Sequence, residues 1–139
     1  MIDAEYYFRR WMEGLDDLAN IVGRRICKSP LPMVNKLPLA WNGARTPAVT
    51  YHRSGGESAD GGFPVVEPVM TVMAWGVDED AALKVFAAVV KPFEDWGGDR
   101  QVVAGKTLVG FEQVSPEVGA RDEESKLWFV AADFTFAIG

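Results

Sequence analysis

Leu127-Trp128-Phe129-Val130-Ala131-Ala132-Asp133-Phe134-Thr135-Phe136-Ala137-Ile138 carries an apolar residue at every even position. Period-two alternation over this length predicts a β-strand with one face in a core. The odd face is also apolar at first, with Leu127, Phe129 and Ala131 before Asp133 and Thr135. Val65 to Gly76 behaves the same way: Val65, Val69, Met73 and Trp75 on one side, Val66, Met70, Val72 and Ala74 on the other. Strands that are apolar on both sides need cover on both.

Working outward, Pro47 to Ser54 predicts another strand, with Val49, Tyr51 and Arg53 opposite Ala48, Thr50 and His52. Residues 101–115 predict a fourth, joined to the last by a charged loop from Pro116 to Ser125. Gly55-Gly56-Glu57-Ser58-Ala59-Asp60-Gly61-Gly62 has four glycines and no large apolar residue, so nothing in it repays ordering. It is expected to be a mobile hairpin tip. Asp78 to Asp95 predicts a helix: Ala82, Val85, Phe86, Val89, Val90 and Phe93 recur at helical spacing, with Lys84, Ala88, Lys91 and Asp95 on the outer side. Pro92 should kink or end it. Residues 3–18 predict a second helix through Ala4, Tyr7, Phe8, Trp11, Leu15 and Leu18, capped by Asp3. Residues 19–46 hold a short strand at most, because Pro30, Pro32 and Pro38 break regular pairing.

These elements predict one α+β domain: a mainly antiparallel four-stranded sheet near 47–54, 65–76, 102–114 and 126–138. Two helices pack on one face through Trp11, Leu15, Phe86 and Val89. Two helices cannot cover both faces. The second face is therefore left either to another chain or to residues 19–46 wrapping beneath the sheet.

A chain of 139 residues with 48% hydrophobic and 24% charged residues has the size and composition of a single globular domain. Its net charge of −6 disfavours broad binding to nucleic acid or anionic membrane. Arg9, Arg10, Arg24, Arg25 and Lys28 are the one local basic group, and they read as solvated helix flanks. Cys27 is the sole cysteine and excludes an internal disulfide. The opening Met-Ile-Asp-Ala-Glu lacks a basic-then-apolar pattern, so neither a secretory signal nor a membrane span is expected.

Catalytic patterns are weak. Gly105-Lys106-Thr107 resembles the end of a phosphate-binding loop, but Arg100 replaces the required earlier glycine and a strand follows instead of a helix. One histidine, His52, and one cysteine cannot build a zinc site, and the clusters Asp78-Glu79-Asp80 and Asp122-Glu123-Glu124 lack calcium-loop spacing. The residues point to no enzyme, no cofactor and no metal.

In order along the chain, several short motifs resemble the tail terminator, or minor tail completion, proteins of long-tailed bacteriophages. They are Ile21-Val22-Gly23-Arg24-Arg25-Ile26, Thr46-Pro47-Ala48-Val49-Thr50-Tyr51, the strand ending Ala74-Trp75-Gly76 before Ala81-Ala82, and Trp128-Phe129-Val130-Ala131-Ala132-Asp133-Phe134-Thr135-Phe136 after an acidic loop. The motifs span nearly the whole chain and specify a fold rather than a site. The resemblance implies a virion protein, made in the host cytoplasm, that assembles with itself as a ring, usually a hexamer. That ring sits at the head-proximal end of the tail, stops growth of the tail tube protein and meets the head–tail connector protein. It implies no catalytic residue, no membrane contact and no sequence-specific nucleic-acid binding. Partner contacts then fall to the glycine-rich loop (Gly55, Gly56, Glu57, Asp60, Gly61 and Gly62) and the acidic loop (Arg121, Asp122, Glu123 and Glu124). Two other readings stay open: a head-closure or neck protein of the same joint, and a ligand-binding module with an apolar pocket lined by Trp75, Phe86 and Trp128.

Overall fold

The alternating C-terminal segment forms the axis of the sheet in the computed structural model, which describes residues 2–29, 46–57, 66–96 and 100–139, with backbone alone at 57, 93 and 96. That strand, β7 (Trp128–Ile138), pairs antiparallel with β3 (Glu67–Gly76) on one side. On its other side it pairs with β5 (Lys106–Gln113) along one half and β6 (Val118–Arg121) along the other. The sheet continues from β3 to β2 (Ala48–Glu57) and then β1 (Ile26–Lys28), and from β5 to β4 (Gln101–Val103). Every pairing is antiparallel except β1 with β2, which is parallel.

Even residues of β3 and β7 from Met70 to Ala74 and from Val130 to Ile138 are buried, as the alternation predicts. The helices close that face. Helix α1 (Ala4–Glu13) starts where Asp3 accepts a hydrogen bond from the Tyr6 amide at 3.2 Å. Its Phe8 ring stacks 5.6 Å from Phe136, and Trp11 stacks 4.9 Å from Phe111. Helix α3 (Glu79–Trp96) is capped by Asp78, which accepts from the Ala81 amide at 2.8 Å, and it sets Phe86 against Phe134. A buried ring of this kind contributes about 1.5–3 kcal/mol each, so these contacts hold the layers together.

Close packing at the β3–α3 corner explains a short motif. A Cβ on Gly76 would lie 2.5 Å from the Ala82 nitrogen and 2.7 Å from the Ala81 Cβ. Only glycine, facing alanines, lets the strand feed so tightly into the helix.

The sheet differs from the four-stranded expectation. Among the described residues it is a curled, seven-stranded half-barrel of mixed pairing, with three helices. Each departure has a local cause. Residues 101–115 form two strands because Ala104 (φ 48°) and Gly105 (φ 84°) turn the chain back after β4, as a two-residue hairpin with both central φ positive does. Gly105-Lys106-Thr107 thus belongs to a hairpin and not to a phosphate loop. The expected charged loop contains β6, since β7 outruns β5 and its first half offers unpaired backbone to Val118–Arg121. A bulge between Val109 and Glu112, with Gly110 at φ 69°, bends β5 and turns Phe111 inward onto Trp11 and Phe136.

The helices also differ. The expected helix 3–18 breaks at Gly14, and α2 (Asp16–Val22) restarts with Asp16 and Asp17 in its first turn. Helix α3 (Glu79–Trp96) matches the expected span to within a residue at each end, with Pro92 inside it. Ala88, expected on its outer side, is buried beside α2.

Candidate interaction surfaces

The odd residues of β3 and β7 build the second face. Cross-strand register places Ala48, Thr50 and His52 of β2 beside Trp75, Met73 and Thr71 of β3, and those beside Phe129, Ala131 and Asp133 of β7. At one end this face carries a small core of its own. Trp75 donates to the Thr50 hydroxyl at 2.9 Å and packs 5.3 Å from Phe129, with Ala48 and Leu127 buried alongside. Met73, Phe129, Ala131 and Ala137 are only half-buried. Toward the other end the face turns polar. Thr71 donates to the Asp133 carboxylate at 2.6 Å, the Asp133 amide donates to the Ser115 hydroxyl at 2.9 Å, and Thr135 donates to the Pro68 carbonyl at 2.9 Å.

Of the residues expected to wrap beneath this face, 19–29 do not. Val22 and Ile26 join the helix-side core, and β1 extends the sheet edge; residues 30–45 lie outside the described residues. Cys27 sits on β1 beside Thr50 of the second face. Burial pushes its thiol up to about 11, partly offset by the Arg9 charge, so it stays protonated at neutral pH.

The described residues of the two segments expected to contact partners lie apart. Gly55 and Gly56 are within β2, paired to Val69 and Pro68, and Glu57 ends the strand opposite Glu67. This corrects the expected mobile tip at its first three residues. Gly56 has φ 97°, and a Cβ there would run into the Glu67 carbonyl oxygen, so it serves a tight strand crossing. Asp60, Gly61 and Gly62 lie outside the described residues. Arg121 ends β6, and Asp122, Glu123 and Glu124 form the turn into β7. Asp122 accepts from the Ser125 amide at 3.0 Å; the Ser125 hydroxyl and amide hold its carboxyl below the usual range. Because β3 runs from Glu67, opposite Glu57, to Gly76, opposite Trp128, Glu57 and the β6–β7 turn lie at opposite ends of the sheet, about 30 Å apart.

Sequence reasoning missed the work done by Arg25. Its guanidinium donates to the Pro47 carbonyl at 2.6 Å and the Ile21 carbonyl at 3.4 Å, tying the end of α2 to the start of β2. The signal was its place in the Gly-x-Arg-Ile motif at a helix end. Lys28 pairs with Glu5 at 3.2 Å and Arg9 with Glu13 at 3.0 Å, so part of the N-terminal basic group is internally matched.

The helix layer carries two shallow grooves between α2 and α3. One, of about 460 Å³, has Ile21, Ala87 and Ala88 between Asp17, Asn20, Lys84 and Lys91. Its neighbour, of about 330 Å³, runs past Gly14, Asp16, Pro92 and Asp95. The residues expected to line one ligand pocket are not together: Trp75 lies on the second face, while Phe86 is in the helix-side core. Among the described residues no group of three or more His, Cys, Asp or Glu side chains is placed to hold a metal ion, and no helix is long and apolar enough to cross a membrane.

No protein-family model and no curated protein matches the sequence. Thirteen chains of solved structures match the fold. One is a chain in the virion of a native gene transfer agent (GTA) particle, with a TM-score of 0.60 and 17% sequence identity. The superposition covers 97% of this chain and 93% of that one, which makes the likeness one of fold over the full described architecture.

Proposed function

We propose that this chain is a structural protein of a phage-like virion, that it assembles with itself as a ring, and that the ring caps the tail tube and meets the head connector. One observation carries the reading: the end-to-end likeness of fold to a chain of a gene transfer agent virion. The half-buried apolar strip on the second sheet face supports it, since a lone copy leaves that strip partly in water. The separation of Glu57 from the acidic β6–β7 turn by the length of the sheet suits a ring with two different end faces. In this reading the chain works by binding protein and not by catalysis.

The test adds purified protein to growing tail tubes that lack this component. Light scattering should show growth stopping, and negative-stain microscopy should show a ring at one tube end. Tubes that lengthen unchecked with this protein in excess, and carry no bound copies, would reject the reading.

A further inference from the structure

Two short edge strands at opposite margins of the sheet stand level with each other. Followed strand by strand, Ile26 of β1 lies in one row with Val49, Ala74, Val130 and then Gly119 of β6. Cys27 lies in the next row, with Thr50, Met73, Ala131 and Val118. Among the described residues β1 pairs only with β2, and β6 only with β7. Each strand therefore keeps one side of its backbone for a further strand. The ladder bonds say which groups those are. The Val49 amide donates to the Arg25 carbonyl at 2.9 Å and the Ser29 amide to the Tyr51 carbonyl at 2.8 Å. Odd residues of β1 thus turn toward β2, and Lys28 turns outward. The Asp122 amide donates to the Leu127 carbonyl at 2.8 Å, which sets even residues of β6 toward β7 and leaves Gly119 and Arg121 outward.

We infer that β6 of one copy pairs antiparallel with β1 of the next, so that neighbouring copies share one continuous sheet. Strand β1 runs with β2, and β6 runs against β7, which itself runs parallel to β2 because both oppose β3. Two copies set side by side in the same orientation therefore present an antiparallel pair. Because the two strands stand level, each copy follows the last without a step along the strands, as a closed ring requires. Ile26 then meets Gly119, Cys27 meets Val118 and Lys28 meets Glu117. Val118 is apolar yet 60% exposed, and it belongs to the second-face row. Contact with Cys27 covers it and carries the strip of Met73 and Ala131 from copy to copy. Lys28 and Glu117 are exposed, oppositely charged and on the same face. Lys28 sits beside core Tyr51 and reaches Glu5 of α1, while Glu117 accepts from Gln113, the neighbour of core Phe134. Opposite charges directly across a strand pair favour that pairing. The occupant is a second copy of this chain, because one repeated contact then satisfies both margins of every subunit. Two-fold pairing of β6 with itself leaves β1 bare. The inference rests on the proposed self-assembly and adds its contact strands.

The experiment uses the full chain carrying Val118→Cys, which sets a second thiol opposite the native Cys27 across the interface. Cα atoms of such a non-hydrogen-bonded pair stand about 4.5 Å apart, within reach of a disulfide. Oxidised with copper-phenanthroline on tail tubes, V118C should give a ladder of linked species on a non-reducing gel, and V118C/C27S should give none. Links that stop at the dimer and persist without Cys27 would overturn the inference in favour of two-fold pairing of β6. Gly119→Pro removes an outward amide and puts a ring in the path of the incoming strand, while Gly119→Ala keeps the amide. A Cβ at Gly119 would lie 3.8 Å from the Phe129 carbonyl oxygen and 4.0 Å from a Val130 methyl, so both variants should melt near wild type. Capping of tubes should fall at least about tenfold for G119P and persist for G119A. If Gly119→Pro melts early, the cysteine pair decides alone. Rings on tubes without a Cys27-dependent link, or a folded G119P chain that caps as well as wild type, would overturn the pairing and leave the proposed function standing. A wild-type chain that neither self-associates nor binds tubes would overturn both.

Discussion

Along β7 the even residues from Val130 to Ile138 are 0–4% exposed, whereas the odd residues from Phe129 to Ala137 are all half-buried. Composition does not separate these faces, since Phe129, Ala131 and Ala137 are as apolar as many residues opposite. What differs is cover. Helices α1 and α3 bring Phe8, Trp11 and Phe86 onto the even face, and the Gly110 bulge curls β5 until Phe111 joins them. Alternation in a strand therefore reports which residues share a face, and the supply of helices reports which face the chain closes itself.

Ala131 and Ala132 offer the largest break of that comparison. Ala132→Asp puts an unpaired carboxylate against the helix-side core and should prevent folding outright, at a cost of about 3–5 kcal/mol. Ala131→Asp points to the half-buried face and should cost no more than about 1 kcal/mol in denaturant melts while abolishing ring formation on tail tubes. Equal losses of stability for the two would mean that the chain closes its second face by itself.

How much of this was legible follows the same physical line. The faces of β3 and β7, the cap Asp3, and the core positions Trp11, Leu15, Phe86 and Val89 were readable because each depends on spacing within one element. Strand β6 was not. Val118-Gly119-Ala120-Arg121 follows Pro116 and has little strand character, and it pairs only because β7 leaves backbone unmatched there. The parallel β1–β2 contact likewise depends on partners far along the chain, including the Arg25 bridge to Pro47. Of the candidate contacts, Asp122, Glu123 and Glu124 lie in a turn, whereas Gly55, Gly56, Glu57 and Arg121 belong to strands because their pairing partners lie elsewhere in the chain, and Gly56 and Asp122 have local jobs within strand and turn.

Arg25 gives the next effect in size, at the edge where the closed face meets β1. Arg25→Ala removes two half-buried hydrogen bonds from a charged group and should cost about 1–3 kcal/mol. Arg25→Lys should recover little, because an ammonium cannot reproduce the spread of a guanidinium across two carbonyls. A lysine variant with wild-type stability in urea would assign the effect to charge alone.

Cys27 measures how covered the second face is at the β1 edge. Its folded value of about 11 lies above the ordinary 9.0, so stability is flat below pH 9 and falls as pH rises between the two. Water screens the partly exposed site, which keeps the loss at about 1 kcal/mol or less. Disulfide-exchange labelling across this range should be slow until near pH 11 and fast at all these values once the chain is unfolded. A thiol that titrates near 9 in the folded chain would mean that the second face is open at β1.

The smallest expected effect separates Asp122 from the two glutamates beside it. The Asp122 carboxylate accepts from the Ser125 amide, while its own amide donates to the Leu127 carbonyl at 2.8 Å and its carbonyl accepts from the Lys126 amide at 2.8 Å. That arrangement carries the chain from β6 into β7, where Lys126 adopts φ 63°. The depressed carboxyl adds stability that is complete above the usual carboxylate range and is lost as pH falls through its lowered value. Asp122→Ala should cost about 0.5 kcal/mol, the low end for a hydrogen bond at an exposed turn. Asp122→Asn keeps the acceptor and should retain most of the stability while removing its part of the pH dependence. Glu123 and Glu124 are exposed, and Glu123 reaches only Lys126 at 3.5 Å, so changing both to Gln should leave the melt unaltered. If the acidic loop contacts a neighbour at one end of the ring, the paired glutamine variant lowers tube capping and Asp122→Asn does so no more than its melt accounts for. Equal capping by all three variants would remove the acidic loop from the contact surface and leave its one aspartate as a turn residue.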